Sequence, residues 1–236
     1  MARDVKYMQL TLPVSLRDEA TFQNFYPGDN QQLCQYLQAH SYLSQERFCY
    51  WWGTPGSGCT HLLQACCHAF SEIHSSVVYL DLGDHADLSP DFLMNLEKLA
   101  LIALDNLDAI VGKAPWEEAL FYLYNRVRDS EKTCLFVVAN VPARQLNVLP
   151  DLKSRLVWGL NFQLHELTDE QKIAALQLRA LNRGFPLSNE VAQYLLRHQS
   201  RDMHVLFSTL KKLDRASLSA KRKLTIPFVK NILLQE

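Results

Sequence analysis

Gly53, Gly58 and Thr60 stand at the spacing of a phosphate-binding loop, in the run Gly53-Thr-Pro-Gly-Ser-Gly-Cys-Thr60. In the pattern G-x-x-x-x-G-K-[ST], loop N–H groups surround phosphates, the lysine reaches the β- and γ-phosphates, and the hydroxyl ligates Mg²⁺. Here Pro55, Gly56 and Ser57 fill the loop and His61 follows it, but Cys59 occupies the lysine position. A thiol supplies no fixed positive charge for phosphoryl transfer. The expectation is a loop that holds a nucleotide more than it hydrolyses one. Such a site needs a second acid at the end of a neighbouring strand, and the apolar run Leu99 to Leu104 ends in Asp105-Asn106. Thr60 and Asp105 are thus the candidate Mg²⁺ ligands, the acid acting through water. Asn106 stands where a hydrolytic site places a carboxylate to orient water, and an amide cannot accept that proton. Asn140, after another apolar run, is placed to meet a γ-phosphate or the attacking water. Plainer roles stay open: a Gly-Pro turn for the loop, a turn cap for Asp105, a turn residue for Asn140.

These residues need strands and helices in a set order to converge. Arg47 to Trp52 is an aromatic run that reads as a buried strand, and Thr60 to Phe70 follows at helical spacing, with Leu62, Leu63, Cys66 and Phe70 on one face. Further strands are expected at Ser76 to Leu82, Leu99 to Leu104, Thr133 to Ala139 and Gly159 to Leu164. Ser89-Pro90 reads as a helix start, and Trp116 to Arg128 as a helix facing inward through Trp116, Leu120, Leu123 and Val127. Alternating strands and helices imply right-handed βαβ units and a mainly parallel sheet. Beyond Leu164 the pattern is helical only. A capping box at Thr168 to Gln171 opens a helix to about Asn182, Ser188 caps Asn189 to Arg197, a third helix runs from about Arg201 to Leu218, and Thr225 opens the last. The expected domains are a tail over 1–18, an α/β domain over 19–165 and a helical lid over 166–236.

Composition narrows the class. The 236 residues are 48% hydrophobic and 21% charged, with a net charge of −1, so the chain as a whole is no electrostatic nucleic-acid binder. From Leu196 onward, however, nine Lys/Arg face three acids, a net +6. That basic lid is a candidate for weak contact with DNA or an acidic partner, or simply a solvated face. Six cysteines without a C-x-x-C pair read as reduced thiols, not as a zinc site or disulfide framework. With neither a secretory signal nor a membrane span in the sequence, a cytoplasmic protein is expected, with no membrane partner.

Taken together, the glycine loop, Asp105, Asn140, the later Ser154-Arg155-Leu156 and the helical lid resemble the AAA+ family, and more narrowly its DnaA/Hda group. Phe22-Gln-Asn-Phe25-Tyr-Pro-Gly28-Asp29-Asn30 is similar to the box that flanks the adenine in that group. Asp151 to Gly159 is similar to its arginine-finger box, and Leu213 to Ser217 with Arg222 to Lys230 to the end of its lid. The resemblance implies an AAA+ P-loop fold, nucleotide contacts by Phe25 and Asn30, and a phosphate-sensing lid position filled here by His204, with Arg201 as an alternative one turn earlier. Histidine is only partly charged near neutral pH. With Cys59, it implies preference for a nucleoside diphosphate, ADP foremost, and little autonomous hydrolysis.

Gln9, Leu10, Leu12, Pro13 and Val14 are similar to the peptide with which the group docks on the DNA polymerase III β sliding clamp, a disordered or edge-strand tail being the plainer role. The chain ends with the lid, without the DNA-binding helix-turn-helix of DnaA, which favours the Hda side of the group. The implied function is regulatory inactivation of DnaA: clamp-bound, the protein offers Arg155 as an arginine finger to ATP held by DnaA, which prevents re-initiation. A salt bridge within the α/β domain is the plainer role for Arg155. An autonomous or clamp-loader-like ATPase, and a scaffold that sequesters DnaA without chemistry, are the alternatives. Homo-oligomerisation is left open.

Overall fold

The computed structural model describes residues 16–234 except Asp18, Ser44, Gln45, Ser75 and Glu131. Five strands form one parallel sheet: β1 Phe48–Trp52, β2 Val77–Asp81, β3 Leu101–Asp105, β4 Cys134–Ala139 and β5 Leu160–Gln163, in the order β2-β3-β4-β1-β5. Every residue of the central strands β3 and β4 is buried, as expected when helices cover both faces of a parallel sheet. Side chains alternate between those faces. Phe48, Tyr50, Ile102, Leu104, Leu135 and Val137 face one core, which α3 Ala114–Ser130 and α4 Pro150–Trp158 cover. Cys49, Trp51, Leu101, Ala103, Phe136 and Val138 face the other, beneath α1 Gln31–Leu43 and α2 Cys59–Ile73. Each fully buried Leu or Phe contributes roughly 1.5–3 kcal/mol, so the two layers hold the strand ends where loops converge. All six cysteines are free, and five of them pack in the interior.

The lid follows β5. Its helices are α5 Asp169–Asn182, α6 Asn189–His198, α7 Met203–Ala220 and α8 Ile226–Leu233, around a core that includes Leu176, Leu195, Leu206, Leu210 and Val229. Thr168 Oγ1 accepts from the Gln171 N–H while the Gln171 side chain accepts from the Thr168 N–H, which completes the expected capping box. Ser188 caps α6 and Thr225 caps α8, as the sequence implied. No helix among the described residues is long and apolar enough to cross a membrane.

Two expectations change. Ser89-Pro90 opens only a 3₁₀ turn, Pro90–Leu93, because Leu93 turns into the core and Met94 is extended before Asn95 adopts φ 64°. The third lid helix starts at Met203, not Arg201: Asp202 caps it by accepting from the His204 and Val205 N–H groups at 2.7 and 3.2 Å. Arg201 is therefore off the helix, and its predicted place on the His204 face does not arise.

Candidate functional site

Strand β1 runs directly into the glycine loop. The Gly53 N–H donates to the Ala139 carbonyl at 3.3 Å, tying the loop to the end of β4. A Cβ on Gly53 would lie 2.9 Å from the Leu164 carbonyl and closer still to Ser57 Oγ, so only glycine fits there. Gly56 and Gly58 take φ 88° and 104°, the left-handed region that favours glycine. Gly58 is the N-cap of the 15-residue α2 and supplies no side-chain cap. The first N–H groups of that helix are thus left for a ligand, where the helix dipole favours an anion. Gly58 through His61 border a cavity of about 470 Å³ that also takes in Phe25, Asp105, Asn106, Asn140 and His204. The ring of Phe25 closes one wall, since a Cβ on Gly58 would come within 2.9 Å of it.

The polar groups at the strand ends are engaged differently. Asp105 is 1% exposed. Burial raises its pKa, and hydrogen bonds from Thr60, Tyr79 and the Asn106 N–H oppose the rise; the Tyr79 hydroxyl donates to Asp105 Oδ2 at 2.8 Å. Thr60 and Asp105 are therefore neighbours at the mouth of the loop. Among the described residues no three His, Cys, Asp or Glu gather as an all-protein metal site; a hydroxyl and one carboxylate suit Mg²⁺ that takes its other ligands from phosphate and water. Asn106, at φ 55°, donates its amide to Asp81 Oδ1 at 2.7 Å. The Asn140 N–H donates to Asp108 Oδ2 at 2.6 Å. Cys59 lies 3.5 Å from Ser57 Oγ, and burial pushes its thiol up to about 12, so it stays protonated and uncharged. Burial also lowers the pKa of His61, whose Nε2–H donates to the Thr21 carbonyl at 2.9 Å.

The lid closes the other side of the cavity with Met203, His204 and Phe207. Arg201 lies outside it, in an adjoining groove of about 240 Å³ beside Pro55, Gly56 and Ser57, and pairs with Asp169 at 3.3 Å. Asn30 is also off the cavity. Its amide brackets His165, donating to that carbonyl at 3.0 Å and accepting from that N–H at 2.7 Å, so it ties the N-terminal segment to the junction before the lid. The sequence reading missed Arg17, Tyr26, Leu167, Ala175, Met203 and Phe207 in the wall. Only the proximity of Tyr26 to Phe25 and of Met203 to His204 in sequence could have drawn attention to any of them.

Arg155, on α4, is half-buried and stands apart from this cavity. Its Nε is buried without a hydrogen-bond partner, and among the described residues it forms no ion pair. It lies near the Tyr124 phenol, whose pKa burial and Glu46 raise while Arg155 opposes them. Gln9, Leu10, Leu12, Pro13 and Val14 fall outside the described residues.

Residues 16–163 match the family model of the bacterial DnaA ATPase domain, and residues 169–233 match that of the Hda lid domain. Among solved structures, domain III of the Thermotoga maritima replication initiation protein DnaA is similar at 19% identity, with a TM-score of 0.76 over 94% of this chain and 98% of that one. DnaA from Aquifex aeolicus, bound to AMPPCP, is similar at 22% identity and a TM-score of 0.72, over 85% of this chain and 66% of that one. The Thermotoga maritima Holliday junction branch migration motor RuvB reaches 0.64 at 13% identity, over 90% of this chain and 72% of that one. At these identities the likeness to solved structures is one of fold.

Proposed function

The chain belongs to the family of bacterial DnaA ATPase domains, and from that premise we propose that it is a nucleotide-holding regulator of the initiator DnaA, not an autonomous ATPase. The carrying observation is the uncapped N-terminus of α2 at the cavity, flanked by an uncharged thiol at Cys59 and an amide at Asn106. A bound nucleoside diphosphate, ADP foremost, would supply anionic phosphate oxygens and a Mg²⁺ shared with Thr60 and Asp105. The residues of the chain then have separable tasks. The Gly56 to His61 backbone receives phosphate, Phe25 and Phe207 enclose the remainder, and His204 approaches from the lid. Cys59 cannot steady a γ-phosphate, and Asn106, already donating to Asp81, cannot take a proton from water. Arg155 serves another molecule: a guanidinium brought to ATP on DnaA neutralises charge on the transferring phosphoryl group, worth roughly 10³–10⁵ in rate. Gln9 to Val14 hold the protein on the sliding clamp, so that inactivation of DnaA follows clamp loading and re-initiation is prevented. The working compartment is the cytoplasm.

Two measurements test this. Calorimetry should find ADP bound more tightly than ATP, and ATP bound at least tenfold tighter would sink the diphosphate assignment. Arg155→Ala should keep nucleotide binding and lose stimulation of ATP hydrolysis by DnaA in the presence of loaded clamp. Full stimulation by the Arg155→Ala protein would overturn the finger assignment, and no stimulation by the wild-type protein would select sequestration of DnaA without chemistry.

A further inference from the structure

Among the described residues that line the 470 Å³ cavity, Arg17 is the only Lys or Arg. The loop brings no cation, because Cys59 is an uncharged thiol. Nearby basic groups are committed elsewhere: Arg179 and Arg183 pair with Glu19, and Arg201 with Asp169. Lys172 donates to the Arg201 carbonyl at 3.0 Å. Asp105 adds a buried acid to the cavity wall. A phosphate there would meet the N-terminus of α2 and little other positive charge.

The main chain of Arg17 is fixed against α2. Its N–H donates to Gln64 Oε1 at 3.2 Å, and its carbonyl accepts from His68 Nε2 at 3.1 Å, from side chains one helical turn apart. The carbonyl also accepts from the Ala20 N–H at 2.8 Å. Arg17 is an exposed residue and makes no ion pair with a described carboxylate. It lies near enough to His61, in the first turn of α2, to act with burial and Arg179 against protonation of that ring. We infer that Arg17 supplies the fixed positive charge that the phosphate loop lacks, its guanidinium pairing with a phosphate of the bound nucleotide. This rests on the nucleotide reading above. A planar guanidinium donates two parallel N–H bonds to a phosphate and stays charged at any working pH. Charge has been moved from the loop to the segment that precedes the sheet.

Calorimetry on the full chain with ADP and with uncharged adenosine tests this. Arg17→Gln should weaken ADP roughly tenfold, the size of one charge-assisted contact, leave adenosine unchanged, and flatten the salt dependence of ADP binding. Arg17→Lys should recover most of the loss. The anchoring bonds of residue 17 are made by its main chain, so the Gln variant retains them, and an unchanged melting temperature would verify this. Unaltered ADP affinity in Arg17→Gln overturns the inference, as does an equal loss for adenosine, which would place the contact at the base. If the wild-type chain binds no nucleotide, the nucleotide reading fails first and this inference fails with it.

Discussion

Cys59 departs from a hydrolytic site and Asp105 is the acid the site keeps, and each makes a separate prediction. Cys59→Lys places an ammonium beside the loop. It should shift preference toward ATP by about tenfold or more, since the added charge acts mainly on the outer phosphates. ATP turnover should stay negligible, because Asn106 remains bonded to Asp81. Calorimetry and phosphate-release assays would check the two halves. Asp105 is buried and its folded pKa is raised. An acid whose folded pKa exceeds its unfolded value contributes stability at low pH that is lost as pH rises through the folded pKa. Asp105→Asn should therefore leave the melting temperature of the ligand-free chain unchanged or higher at neutral pH, while Mg²⁺-dependent nucleotide affinity falls. A fall in melting temperature of several degrees would make Asp105 structural. At this scale the loop glycines and Thr60 were legible from their local spacing, and Asp105 from its place at the end of an apolar run. Arg17 was not, since its role depends on α2 holding its main chain 47 and 51 residues away.

Among the elements, the short N-terminal segment does more joining than its length implies. It ties to α2 through Arg17 and through the Thr21 carbonyl, and to α5 through Glu19, Gln23 and Asn24. Glu19 pairs with Arg179, with Arg183 at 3.2 Å and with Lys211 at 3.7 Å, linking this segment to both α5 and α7. Partial burial pushes the Glu19 carboxyl up, but Arg179, Lys211 and Arg183 outweigh it and hold its pKa below the usual 4.5. A depressed acid stabilises the fold above its unfolded pKa, and that contribution is lost as pH falls through the folded value. Denaturation of the Glu19→Gln protein should therefore differ from wild type at neutral pH, and the difference should shrink below about pH 4.5. The effect will be modest, because Glu19 is 45% exposed and its pairs are screened. Helix caps at Thr168, Ser188 and Thr225 were readable from sequence, since each acts within three residues. The start of α7 was misread by two residues because Arg201 and Asp202 are both polar, and only Asp202 turns its carboxylate onto the helix N–H groups.

Across the whole molecule, the cavity lies between the α/β layers and the lid, with Gly53 to His61 from one and Met203, His204 and Phe207 from the other. A ligand there bridges the two and should raise the unfolding temperature of the entire chain. At a hundredfold excess over Kd the expected gain is about 2.7 kcal/mol. Calorimetric scans with ADP should show α/β and lid unfolding together at a higher temperature; an unshifted transition would exclude tight binding. The sequence by itself determined the parallel α/β layering, the helical lid and the phosphate loop, because periodicity, capping and glycine spacing are local properties of the chain. Tertiary structure decided what closes the site: Arg17 and Phe207 line it, Asn30 and Arg201 turn to His165 and Asp169, and Arg155 lies outside it. Those outcomes depend on contacts between segments far apart in the chain, which packing sets and no local pattern records.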